Sequence, residues 1–176
     1  MNLPNRLSLL RMGLIPVMVL LMTFRTPAGD YGALAVFVLA AFTDFLDGYI
    51  ARRQGTVTVF GQFMDPVADK LLVLSAMVML VDRGLISGWF PVIILGRELL
   101  VDGLRLVASN RGRVIPAGKL GKIKTTAQIL LVIVLLAARR PMTAHWTLFL
   151  LGGLTLCLTW WSGADYLMRN REVFRD

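Results

Sequence analysis

The stretch "DFLDGYIARRQGTVTVFGQFMDPVADK", residues 44–70, places Asp44, Asp47, Asp65 and Asp69 inside a chain of 176 residues that is 56% hydrophobic. Soluble domains use about 45–50% apolar residues, so these carboxylates sit in the company expected of a membrane protein. Crossing roughly 30 Å of hydrocarbon takes about 20 apolar residues in a helix. Runs of that kind lie near 7–24, 31–51, 66–82, 86–107, 121–138 and 145–167. The quoted stretch joins the second run to the third. The expectation is an all-α, polytopic membrane protein whose six transmembrane helices form a single domain over residues 1–176.

The first run begins almost at the N-terminus, yet it is longer than a signal-peptide core and no A-x-A-like site follows it, so it reads as a retained helix. Six spans put both termini on one side. A cytoplasmic N-terminus then places 15 of the 19 basic residues inside, leaving Arg25, Arg83, Arg139 and Arg140 outside, which is the usual bias. The net charge of +8 falls at the ends of apolar helices, which points to anionic lipid or a phosphorylated substrate rather than nucleic acid. Cys157 stands alone in the last run and is expected to be a packing residue. The outside turns "RTPAGDY" and "DRGLISGWFP" are too short to hold a site, and His145 in the last outside turn reads as interfacial. At the N-terminus Asn5 is a candidate helix cap, with Ser8 and Arg11 facing the cytoplasmic end of helix 1. A basic anchor at the interface accounts for that segment equally well.

Asp44 and Asp47 are three residues apart, and Gly48 and Ala51 continue the same helical stripe. Asp65 and Asp69 are four apart at the start of helix 3, where Pro66 suits the first helical position and Asp65 the N-cap. Helices 2 and 3 are joined on the inside, so the two pairs can face each other across an antiparallel contact. An aspartate at a helix centre costs about 2.5–3.5 kcal/mol to insert. Arg52, Arg53 and Lys70 are too few to compensate four, whereas hard divalent cations with oxygen ligands would.

The pattern Asp44-x2-Asp47-Gly48-x2-Ala51-Arg52-x8-Gly61-x3-Asp65-x3-Asp69 resembles the signature of the CDP-alcohol phosphotransferases, with every fixed position filled. That resemblance implies a six-helix membrane enzyme that moves a phosphatidyl-type group from a CDP-linked lipid, CDP-diacylglycerol, to an alcohol and releases CMP. It implies two Mg²⁺ or Mn²⁺ ions at Asp44, Asp47, Asp65 and Asp69, with Asp69 also the catalytic general base. Gly48, Ala51, Arg52 and Gly61 would form the CDP-donor site, the glycines for clearance and Arg52 as a phosphate donor. The resemblance also implies a homodimer in the bacterial cytoplasmic membrane with its active site toward the cytoplasm.

The acceptor is read from "GRELLVDGLRLVASNRGRVIPAGKLGKIKTTAQ", residues 96–128, whose Arg97, Arg105, Lys119, Lys122 and Lys124 can converge from two helix ends. So many cations suit a second phosphate, as in glycerol 3-phosphate, better than serine, ethanolamine or choline. Snorkelling to the headgroups competes with this reading. "MNLPNRLSLLRMGLIPV", "GRELLVDGLRLVA" and "GKIKTTAQ" resemble the branch of the family that uses glycerol 3-phosphate. Asp102 departs from that branch, where a small hydroxyl residue is usual, and would partly neutralise the pocket if it faced it. An inositol phosphate acceptor stays open. Glu98, about 100° around the helix from Arg97, can pair with a neighbouring helix. A metal or proton transporter would spread polar groups over several depths, whereas the outer halves of helices 2, 3, 5 and 6 are almost wholly aliphatic. Residues 129–176 read as a plain pair of hydrophobic helices, in which Gly152-Gly153 permits close approach.

Overall fold

A computed structural model describes the backbone of residues 3–54, 59–110, 118–138 and 145–170, and the side chains of 7–43, 64–110, 120–138 and 145–170. These residues form α1 (Leu3–Thr23), α2 (Pro27–Gln54), α3 (Val59–Asp82), α4 (Trp89–Asn110), α5 (Lys119–Ala137) and α6 (His145–Arg169). A π-turn at Leu148–Gly152 interrupts α6, and no strand occurs among the described residues.

Local chemistry explains the boundaries. Thr26 caps α2, its hydroxyl accepting the Gly29 N–H at 3.1 Å, and Pro27 opens the helix where no N–H is needed. Gly84 ends α3 with a left-handed φ of 69°. The Gly84 and Leu85 N–H groups reach back to the carbonyls of Val81 and Leu80, a Schellman closure that satisfies the last turn.

Two expected boundaries move. Helix α1 already begins at Leu3, so Asn5 lies inside it and does not cap it. Helix α3 begins at Val59, so Asp65 is an interior residue and not the N-cap. Pro66 therefore sits within the helix and has no N–H to offer the carbonyl of Gln62.

Helix α1 packs against α2 and α3, α5 lies against α2, α3 and α6, and α4 closes on α3 and α6. The core between them holds Met18, Met22, Phe37, Leu72, Met77, Leu80, Ile94, Leu131 and Leu135. Ala33, Ala40, Ala68 and Ala76 are fully buried as well, and small residues of this kind let helices approach closely where lipid removes the usual hydrophobic drive. The tightest approach is at Gly29, where an added Cβ would lie 2.6 Å from the Leu21 carbonyl oxygen. Gly29→Ala must push α1 from α2 and is expected to cost about 1–3 kcal/mol, read as a lower Tm in detergent.

The exterior is apolar. Leu20, Val38, Phe42, Val78, Leu99, Leu106 and Phe149 are exposed, whereas Ser8, Arg11, Glu98 and Lys124 are buried. Soluble proteins show the reverse arrangement, and a bundle bathed in lipid shows this one. By length and composition α5 (over Leu120–Ala137) and α6 can cross a membrane, while the apolar stretches Leu7–Thr23 and Pro27–Thr43 are shorter. Cys157 is exposed on the outside of α6, so it is not the packing residue expected. His145 is also exposed, its ring edge-on to Trp146 at 6.5 Å. Gly152 does sit close to a neighbour, with Phe90 Cε2 3.4 Å from where its Cβ would be.

At one end of the bundle, Arg25 pairs with Asp82 at 2.7 Å, and Arg83 donates to Asp30 and to the Met22 carbonyl. The α1–α2 turn is thereby tied to the end of α3. The opposite end collects the C-termini of α2, α4 and α6 with the N-termini of α1, α3 and α5, and there most of the remaining charge gathers.

Candidate active site

Asp65 and Asp69 lie one turn apart on α3 and share a face. Asp65 accepts a hydrogen bond from the Ser8 hydroxyl of α1. Ser8 and Arg11 are fully buried, so the N-terminal segment is part of the bundle rather than an anchor lying on its surface. Asp69 opens into a cleft of about 230 Å³ between α3, α4, α5 and α6.

Asp44, Asp47, Gly48, Ala51, Arg52 and Gly61 have their backbones in α2 and α3, but their side chains lie outside the described residues, as do those of Arg53 and Lys119. Among the described residues no three acidic, histidine or cysteine side chains converge on one point.

The basic residues do converge. Arg97 and Arg105 of α4 and Lys122 and Lys124 of α5 all line the cleft that Asp69 enters. Two of them, Arg97 and Lys124, are held by an acid of α4, Glu98. Glu98, buried, accepts a hydrogen bond from Lys124. It also lies 3.5 Å from Arg97 Nη1 and 3.9 Å from Lys70 Nζ. One carboxylate thus collects cations from three helices, and its pairing with a neighbouring helix follows the expectation. Lys124 lines the cleft with its amine already engaged by Glu98.

Lys70 was expected to compensate the aspartates of its own segment; the partners seen among the described side chains are the acids of α4. About 100° around α3 from Asp69, it points toward α4 and donates to Asp102. Asp102 does face the pocket, as its charge made a concern, but the cation it neutralises is Lys70.

Helix α6 is not the plain hydrophobic helix expected. Its Ser162, Asp165 and Tyr166 line the cleft. Arg97 Nη2 donates to the Ser162 hydroxyl at 3.1 Å. Arg105 Nε donates to the Tyr166 hydroxyl at 3.1 Å, with the guanidinium 5.4 Å above that ring's centroid. Between them Gly163 leaves room for Arg97, since a Cβ there would stand 3.1 Å from Arg97 Cγ. The signal was present as a polar stripe at helical spacing, Ser162, Asp165, Tyr166 and Arg169, beside the conspicuous Trp160-Trp161 pair.

The arrangement joins a carboxylate able to accept a proton to a pocket of oriented cations suited to an anion. The family model described as CDP-alcohol phosphatidyltransferase matches residues 1–162, and the chain belongs to that family. Similar proteins include the CDP-diacylglycerol–glycerol-3-phosphate 3-phosphatidyltransferase of Bacillus subtilis (strain 168), 44% identical over 153 residues, 80% of this chain and 79% of that protein. The protein of the same name from Pseudomonas fluorescens is 43% identical over 178 residues, 95% of this chain and 89% of that protein. That from Rickettsia prowazekii (strain Madrid E) is 43% identical over 136 residues, 77% of this chain and 75% of that protein.

Proposed function

We propose that the chain transfers the phosphatidyl group of CDP-diacylglycerol to sn-glycerol 3-phosphate, giving phosphatidylglycerophosphate and CMP. The observation that carries this reading is the opening of Asp69 into the same cleft as Arg97, Arg105 and Lys122. A cationic pocket beside a carboxylate holds a phosphorylated alcohol with its free hydroxyl toward the base. The names of the relatives describe the same reaction.

In this mechanism Arg97 and Arg105, oriented by α6, grip the acceptor phosphate bidentately, with Lys122 and Lys119 adding charge. Asp69 accepts the proton of the primary hydroxyl as its oxygen attacks phosphorus. The bond from that phosphorus to the CMP oxygen breaks, and CMP departs with the electron pair. Arg52, Gly48, Ala51 and Gly61 receive the CDP portion of the donor. The all-oxygen donor set of Asp44, Asp47, Asp65 and Asp69 suits hard divalent cations, and the i, i+4 placement of Asp65 and Asp69 on one face is compatible with shared ligation. Two such ions, Mg²⁺ or Mn²⁺, would neutralise the donor's diphosphate and the departing CMP and polarise the phosphorus under attack.

The apolar exterior supports six spans with the acyl chains of the donor remaining in lipid. The basic bias places both termini and the cleft on the cytoplasmic side of a bacterial inner membrane. A homodimer completes the proposed assembly as one catalytic domain per chain.

The test is turnover of CDP-diacylglycerol with glycerol 3-phosphate by the purified protein, with the lipid product identified by mass. Chelation by EDTA is expected to stop it and added Mg²⁺ to restore it; turnover untouched by chelation would remove the metals from the reading. Tyr166→Phe, which keeps the ring under Arg105 and removes only the hydroxyl it donates to, is expected to raise the acceptor KM about tenfold or less, with the donor KM unchanged.

A further inference from the structure

At the floor of the cleft Gln128 of α5 is buried, 4% exposed. Its amide nitrogen Nε2 has no hydrogen-bond partner among the described residues. The mechanism above does not use it. A buried amide donor left unpaired carries the full cost of the water it lost, and native interiors hold few such groups without a reason.

Gln128 lies one turn along α5 from Lys124, on the same face, and both line the cleft. The amide therefore stands one turn deeper than the cationic layer that would hold a phosphate. The next turn of α5, Leu131 and Val132, is buried core and offers the amide no acceptor side chain. A primary amide presents both donors and an acceptor. The unpaired donor calls for an acceptor oxygen on the ligand, which a hydroxyl supplies.

We propose that Gln128 is a specificity-determining residue of the acceptor subsite, hydrogen-bonding the hydroxyl of a phosphorylated polyol that does not react, the C2 hydroxyl when the acceptor is glycerol 3-phosphate. The inference rests on the reading of this cleft as the acceptor site. A site built around a hydroxyl rejects the analogue that lacks it, because its own polar group is then left unpaired.

The experiment compares glycerol 3-phosphate with 1,3-propanediol monophosphate, the same molecule without the C2 hydroxyl, using the full-length protein, CDP-diacylglycerol and Mg²⁺. The wild type is expected to favour glycerol 3-phosphate by about tenfold or more in kcat/KM, the scale of one hydrogen bond. Gln128→Met, of similar length and apolar, is expected to raise the KM for glycerol 3-phosphate by about that factor. It should leave the KM values of the deoxy analogue and of CDP-diacylglycerol in place, so that the preference disappears. A Gln128→Met protein that keeps the preference, or that shifts both acceptors or both substrates together, overturns the proposal. Should that variant fail to fold by gel filtration, Gln128→Asn, which withdraws the amide by one methylene, must reduce the preference or the proposal falls. Absence of wild-type turnover with glycerol 3-phosphate contradicts the acceptor reading itself, a different failure from loss of discrimination at Gln128.

Discussion

Asp69→Asn is expected to lower kcat by at least about 10²- to 10⁴-fold, the range a positioned general base contributes, while metal-dependent binding of CDP-diacylglycerol survives. The amide is isosteric and retains one oxygen as a ligand, but it cannot accept the proton of the attacking hydroxyl. Asp69 is the acidic residue of α3 that opens into the cationic cleft, whereas Asp65 is engaged by Ser8 of α1. Asp65→Asn should therefore differ in kind, weakening metal dependence and donor binding together. The measurement is CMP release alongside donor binding by each variant. If Asp69→Asn released CMP at a near wild-type rate, the proton would have another destination and the role assigned to Asp69 would be wrong.

Glu98→Leu should destabilise the protein by about 3–5 kcal/mol, the cost of leaving a buried ion without its partner. Glu98 and Lys124 are both buried, and Lys124 donates to Glu98. Without the carboxylate, Lys124 and Arg97 would lose their acidic partner inside the bundle, while Lys70 keeps Asp102. The double variant Glu98→Leu/Lys124→Met is expected to recover most of the loss, because buried pairs replaced together by apolar residues are often neutral. Thermal unfolding in detergent reads both. Equal stability of the single variant and wild type would show that water reaches Lys124 and that Glu98 does not organise the cation cluster. The double variant should still bind the acceptor poorly, since Arg97 loses the neighbour that helps fix it.

Much of this was legible in the chain. The six apolar runs correspond to the six helices found among the described residues, and the spacing of Asp65 and Asp69 places them on one face wherever the helix begins. The convergence of Arg97, Arg105, Lys122 and Lys124 followed from two helix ends meeting on one side. What the spacing could not supply was helix rotation. Lys70 is next to Asp69 in sequence, yet its partner is Asp102 on α4, a choice made by how α3 and α4 face each other. The Asp65-Pro66 pair reads as a helix start by local capping chemistry, but tertiary packing of α3 against α1 carries the helix back to Val59 despite the lost hydrogen bond at Pro66. Helix α6 was misjudged for a different reason. Its polar stripe is spaced for one face, but the hydrophobic length of the segment dominated the reading, and the service of Ser162 and Tyr166 to two arginines appears only once α4 is placed beside them. The donor side of the site rests on the matching signature at Asp44, Asp47, Gly48, Ala51, Arg52 and Gly61.

The most direct measurement is CMP release by the purified protein with CDP-diacylglycerol and Mg²⁺ across glycerol 3-phosphate, inositol 1-phosphate, free glycerol and serine, with a control lacking acceptor. Turnover confined to glycerol 3-phosphate is the predicted result and would make the cleft between α3, α4, α5 and α6 a phosphate-reading acceptor pocket. Turnover with free glycerol or serine at comparable rates would contradict that account, since neither offers a phosphate for Arg97 and Arg105 to hold. Turnover with inositol 1-phosphate alone would keep the phosphate pocket and overturn the identity of the acceptor.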